Sequence, residues 1–143
     1  MSEEWIDISI PCLRGNELKN LKECIETNFV SSIGPFIDKF ERNISKIISD
    51  NGIKSVATSS GTTALELGLI SYGVMPNDLV MIPSYTFIAT ANAISHIGAS
   101  PWLINVDKNF LTLDPIALQK ELKENTYKKL GYRTVKKTNL LFG

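Results

Sequence analysis

Ser55-Val56-Ala57-Thr58-Ser59-Ser60-Gly61-Thr62-Thr63-Ala64-Leu65 changes character midway. Ser55 to Thr58 is strand-like, the pattern from Gly61 to Tyr72 is helical, and a turn of small hydroxyl residues and one glycine falls at the junction. The alternation then repeats. Leu79 to Ile82 is a short apolar strand, Thr86 to Ile97 a helix, and Trp102 to Val106 another strand. Asp114-Pro115 sets a capping residue before a favourable first helical residue, opening a helix to about Glu124. Strands and helices in alternation imply an α/β unit with buried, mostly parallel strands.

Upstream, Ile6, Ile8 and Ile10 alternate with Asp7 and Ser9, so Trp5 to Ile10 reads as extended until Pro11 interrupts it. Asn16 can cap a helix to about Asn28, with Leu18, Leu21 and Ile25 as its core face. Gly34-Pro35 opens a second helix, in which Phe36, Ile37, Phe40, Ile44, Ile47 and Ile48 recur at helical spacing until Asn51-Gly52. The expected organisation is an N-terminal helical segment over 1–52, an α/β part over 53–124, and a polar tail or hairpin over 125–143.

Composition excludes several classes. With 143 residues, 43% of them hydrophobic, the chain can bury one core of ordinary size. Fifteen basic residues balance fifteen acidic ones, which leaves no basic field for nucleic acid or an anionic membrane. Met1 to Trp5 is acidic with no apolar leader, and no run approaches the roughly 18 apolar residues of a membrane span, so a cytoplasmic protein is expected. Cys12 and Cys24 form neither a disulfide framework nor a metal motif.

Two stretches carry candidate chemistry. At Ser59 to Leu65 a helix N-terminus offers unpaired N–H groups and a positive dipole end, and Gly61 lets an anion approach the backbone. Adjacent hydroxyls can donate further bonds, so the stretch reads as a phosphate cup, without the Gly-Lys-Ser/Thr element of a P-loop. The plain alternative is that Ser60 only caps the helix and Gly61 only permits close packing. In Pro83-Ser84-Tyr85-Thr86-Phe87, a turn at the strand's C-terminal edge carries Phe87 to the side of an open sheet where ligands bind. Its ring could stack on a flat heteroaromatic cofactor, or pack in the core with Ile88 and Ile94. His96, the single histidine, reads as structural near a helix end; Asp107 reads as a turn residue, Asp114 as a cap, and Trp5 and Trp102 as packing residues.

The order of motifs adds to this. Phe29-Val-Ser-Ser-Ile-Gly34, Phe40-Glu41, Ser59-Ser-Gly-Thr62, Asn77-Asp-Leu-Val80 with Pro83-Ser-Tyr-Thr-Phe87, Gly98-Ala-Ser-Pro101 and Leu113-Asp-Pro115 together resemble the first third of a DegT/DnrJ/EryC1/StrS aminotransferase, over roughly residues 6 to 124. The resemblance implies the N-terminal part of a type I PLP-transferase large domain, with an incomplete sheet. It implies pyridoxal 5'-phosphate as cofactor, with Ser60, Gly61 and Thr62 at the phosphate, Phe87 against the pyridine ring, and Ser31 and Ser32 on the substrate side. It implies amino transfer, with glutamate as donor, to a nucleotide-linked keto sugar, in a homodimer.

The family's cofactor-binding lysine and its pyridine-facing aspartate are expected beyond Gly143, so no residue here is assigned a catalytic role. Lys128, Lys129, Lys136 and Lys137 stand in a polar tail, where a solvated amine is not poised for Schiff-base chemistry. The chain alone is therefore expected to be inactive. The tail resembles an insertion in the branch acting on UDP-linked 4-keto-6-deoxy amino sugars, related to the legionaminic acid and bacillosamine pathways. Perosamine-type, 3-amino sugar and sugar-dehydrating members are the other branches in view. Two further readings compete: a truncated product or pseudoenzyme that serves as an interaction module, and a plain phosphate-binding α/β module.

Overall fold

The computed structural model describes residues 9–31, 33–48, 52–129 and 132–135, with no side-chain description for 128, 129 and 132–135. Most of the extended stretch expected over Trp5 to Ile10 lies outside these residues, as do 49–51 and 136–143. The chain forms two compact units, Met1–Ala57 and Thr58–Gly143.

The first unit carries helix α1, Glu17–Glu26, and helix α2, Pro35–Ile48. Asn16 precedes α1, but its side chain makes no capping bond. The Glu17 carboxylate instead accepts the Gly15 N–H at 2.9 Å, which satisfies a donor just ahead of the helix. The α1 stripe expected to be core is not: Leu18 is 82% exposed, and Leu21 and Ile25 are exposed too. Among the described residues no element covers it, so apolar periodicity here marks a face without its partner. On α2, Phe36, Ile37 and Ile44 are half-buried while Phe40, Ile47 and Ile48 remain exposed.

The strand expected at Ser55 to Thr58 joins no ladder among the described residues. The reason is visible in α2, where residues one turn apart share a face. Ser45 Oγ accepts the Ser55 N–H at 2.9 Å, and Glu41 Oε1 accepts the Ala57 N–H at 2.8 Å. These side chains take the donors that a neighbouring strand would otherwise take.

The second unit runs α3 Gly61–Ser71, β1 Leu79–Pro83, α4 Ile88–His96, β2 Ser100–Ile104, α5 Pro115–Asn125, β3 Thr126–Lys129 and β4 Tyr132–Val135. Strands β1 and β2 pair in parallel, from Leu79 opposite Ser100 to Pro83 opposite Ile104, with α4 as the crossover. This is the expected α/β arrangement, and the parallel sheet is partial, with two strands among the described residues. Two boundaries move. Helix α4 starts at Ile88 rather than Thr86 because Ser84 to Thr86 bend away after Pro83, and β2 lies two residues earlier because Val106 instead bridges Leu113.

Ile82, Ile94 and Ala99 form the core, with Leu69, Val74 and Val80 packed against them. Both α3 and α4 end in left-handed glycines, Gly73 at φ +89° and Gly98 at φ +78°. In each, the next two N–H groups turn back onto the last helical turn: Gly73 and Val74 donate to Ile70 and Leu69, Gly98 and Ala99 to Ser95 and Ile94. The closure puts Val74 and Ala99 into the core. Helix α5 is capped by Asp114, whose Oδ1 accepts the Ile116 N–H at 2.8 Å. Its end passes into an antiparallel ribbon in which Thr126 pairs with Val135 and Lys129 with Tyr132.

Candidate functional site

The turn before α3 is built by its own hydroxyls. Ser60 is extended, and its Oγ accepts the Thr63 N–H at 3.2 Å. Its carbonyl accepts the Ala64 N–H at 3.0 Å and the Thr58 hydroxyl at 3.0 Å. The third and fourth residues of the helix are thereby satisfied. Gly61 and Thr62, the first two, meet no acceptor for their N–H groups among the described residues. No acidic residue stands in the first turn, so the positive end of the helix dipole is uncompensated there. Such an end holds an anion.

A Cβ built on Gly61 would meet nothing within 4 Å, so its close-packing alternative has no neighbour to pack against. Open space lies beside two unpaired N–H groups. Thr62 is half-buried beside it.

Phe87 sits at the other helix entrance. The Ser84 N–H donates to the Ile104 carbonyl at 2.8 Å, which continues the ladder one residue past β1 and holds the start of the bend at the sheet's C-terminal edge. After the bend Phe87 is the N-cap residue of α4. Its ring is 79% exposed and Ile88 is also exposed, so of the core trio once open to it only Ile94 is buried. The structure thus gathers Ser60, Gly61 and Thr62 into one turn and places Phe87 on α4, a helix that packs on α3. Ser31 is exposed in the first unit, and Ser32 lies outside the described residues.

Sequence reasoning missed three features. Thr63 is part of the turn through both its N–H and its hydroxyl, which lies 3.1 Å from Ser60 Oγ. His96 Nδ1 lies 2.6 Å from Glu66 Oε1, joining the last residue of α4 to α3, a partner thirty residues away that local spacing does not signal. The first unit also holds an open cleft of about 250 Å³ between the first turns of its helices, lined by Asn16, Lys19, Glu23, Phe36 and Lys39. The two loci assigned to a turn and a cap behave as such: Asp107 Oδ1 accepts from Asn109 and Phe110, and Asp114 caps α5. Among the described residues no helix is long and apolar enough to cross a membrane.

Residues 11–132 match the DegT/DnrJ/EryC1/StrS aminotransferase family. GDP-perosamine synthase of Caulobacter vibrioides is 39% identical over 115 residues, covering 80% of this chain and 30% of that protein. The solved structure of NtdA from Bacillus subtilis with bound cofactor PMP is 31% identical with a TM-score of 0.65, over 72% of this chain and 23% of that one. The aminotransferase TlmJ from Streptoalloteichus hindustanus is 27% identical with a TM-score of 0.66, over 82% of this chain and 32% of that one. This chain spans about 30% of the length of its curated relatives.

Proposed function

This chain belongs to the DegT/DnrJ/EryC1/StrS aminotransferase family, and on that premise we propose that it is the N-terminal part of a pyridoxal phosphate enzyme that aminates a nucleotide-linked keto sugar. The observation that carries the reading is the turn at α3. Two unpaired N–H groups, an uncompensated helix dipole and open space at Gly61 fit a phosphate monoester. Gly61 and Thr62, with Ser60 beside them, hold the phosphate end, and Phe87 offers a free ring face to the pyridine.

When bound, pyridoxal phosphate supplies the electron sink that amino transfer requires. The residues of this chain would contribute binding: the α3 turn would hold the charged end, and Phe87 would lie against the ring. We assign neither the cofactor-bearing lysine nor the pyridine-facing aspartate to these 143 residues, so binding without turnover is the activity proposed for the chain alone. The amino donor is glutamate, the setting is amino sugar or polysaccharide biosynthesis in the cytoplasm, and the complete enzyme is a homodimer. We assign Ser31 and Ser32 to the substrate side on the family resemblance alone.

The test supplies the chain with pyridoxal phosphate, glutamate and GDP- or UDP-linked 4-keto sugars, and measures cofactor binding and 2-oxoglutarate release together. Binding without release is expected. Release of 2-oxoglutarate coupled to sugar amination would overturn the assignment of catalysis elsewhere. A second reading, an interaction module without catalysis, draws on the uncovered α1 stripe of Leu18, Leu21 and Ile25. Absence of cofactor binding would favour it.

A further inference from the structure

Helix α1 presents its polar stripe, not its apolar one, to α2. Leu18, Leu21 and Ile25 are exposed, whereas Asn16, Lys19, Asn20 and Glu23, recurring every three or four residues, line the cleft of about 250 Å³ shared with Phe36 and Lys39 of α2. Two amphipathic helices of one unit ordinarily meet through their apolar faces, because a polar crossing forfeits the gain of burying them. Here the polar groups are also not spent on one another. Among the described residues the ion pairs are Lys22 with Glu26 and His96 with Glu66, so Lys19, Lys39 and Glu23 make none. Asn16 makes no capping bond, and the Glu17 carboxylate beside it is taken up by the Gly15 N–H at 2.9 Å. The cleft therefore holds two ammonium groups against one carboxylate.

We propose that this cleft binds a small phosphate monoester with a hydroxylated body, Lys19 and Lys39 meeting the phosphate and Asn20 and Glu23 the hydroxyls. Two ammonium groups supplied by different helices converge on one anion, and lysine binds phosphate as a point charge. Glu23 repels a bare polyanion but accepts from hydroxyls, while the carboxamides of Asn16 and Asn20 both donate and accept. Phe36, half-buried, gives the cleft an apolar wall. The volume falls just under the roughly 300–1,000 Å³ of pockets that take drug-sized ligands, which suits one small metabolite. The cleft belongs to the unit Met1–Ala57 and the α3 turn to Thr58–Gly143, so this site stands without the cofactor reading.

The 143-residue chain, labelled with ¹⁵N, is titrated with ribose 5-phosphate, ribose, inorganic phosphate and pyridoxal phosphate. The amides of residues 16–23 and 36–39 are followed beside those of 59–63. Ribose 5-phosphate is expected to shift the first group saturably, at least about threefold tighter than inorganic phosphate, the scale of added hydroxyl bonds. Lys19→Gln and Lys39→Gln should each weaken it about three- to fivefold, the scale of an exposed charge pair. Asn20→Ala should weaken ribose 5-phosphate by about twofold or more and leave inorganic phosphate unchanged. Lys22→Gln removes a cation of α1 that does not line the cleft, and should change neither. These side chains are exposed, and the unligated spectrum of each variant reports that its fold is kept.

Equal affinity for inorganic phosphate and ribose 5-phosphate would mean that the cleft senses charge alone, and would overturn the proposal. So would a loss in Lys22→Gln as large as in Lys19→Gln, or no shift at residues 16–23 and 36–39. Ribose 5-phosphate shifts confined to residues 59–63 would overturn this site and leave the α3 turn as the phosphate site. Shifts in the cleft, with residues 59–63 unmoved by pyridoxal phosphate, would uphold this site and sink that one.

Discussion

Glu41 Oε1 accepts the backbone N–H of Ala57 at 2.8 Å, so a helix side chain supplies the bond that a sheet neighbour would make. With Ser45 holding Ser55 one turn further on, α2 grips an extended segment by two alternate donors. Removing Glu41 leaves a part-buried N–H without its charged acceptor, which costs about 1.5–3 kcal/mol. Glu41→Ala should lower the urea midpoint accordingly, while Glu41→Gln, which keeps an oxygen there, should recover more than half. Equal losses in the two variants would show that the carboxylate charge, and not the bond to Ala57, is what matters.

Gly98, just past α4, and Gly68, inside α3, should respond in opposite directions. Gly98 sits at φ +78°, and a Cβ there would lie 3.2 Å from Pro76 Cβ, so Gly98→Ala should destabilise by about 1–2 kcal/mol. Gly68 is inside α3 with nothing within 4 Å, so Gly68→Ala should stabilise by about 0.5–1 kcal/mol. Thermal unfolding of the pair checks this, and a shared sign would refute the helix-end account of Gly98.

Asp114 caps α5 through the Ile116 N–H at 2.8 Å. Asp114→Ala should cost about 1 kcal/mol and Asp114→Asn much less, because Asn retains a capping oxygen. Chemical denaturation distinguishes the two.

The legible parts of this fold were those with local causes. Asp114-Pro115 and the Ser60 cap are written in adjacent residues, and the alternation from Gly61 to Ile104 correctly gives a parallel α/β pair. What failed depended on neighbours far along the chain. Leu18, Leu21 and Ile25 have the spacing of a core face, but spacing cannot say whether anything covers it. Ser55 to Thr58 has strand composition, yet its alternate donors go to α2 side chains. At the candidate site, the packing alternative for Gly61 depended on neighbours that spacing does not show, and a Cβ there meets nothing within 4 Å. Thr63 was overlooked as the residue whose N–H and hydroxyl both lie in bonding reach of Ser60 Oγ.

His96 and Glu66 join α4 to α3 at 2.6 Å on a partly solvated surface. A double-mutant cycle with His96→Ala and Glu66→Ala should give a coupling of about 0.5 kcal/mol, in the range of exposed pairs. It should leave phosphate affinity unchanged. A large loss of affinity in either single variant would place this pair in the site after all.

If the N-terminus of α3 receives the phosphate of pyridoxal phosphate, a side chain filling the space beside it should abolish binding. The ¹⁵N-labelled chain and its Gly61→Val variant are titrated with pyridoxal phosphate, following the amides of residues 59–63. Saturable shifts are expected at Gly61 and Thr62 in the parent chain, and their loss in the variant with the rest of the spectrum retained. Saturable binding that leaves those amides unmoved, or that survives Gly61→Val unweakened, would contradict it.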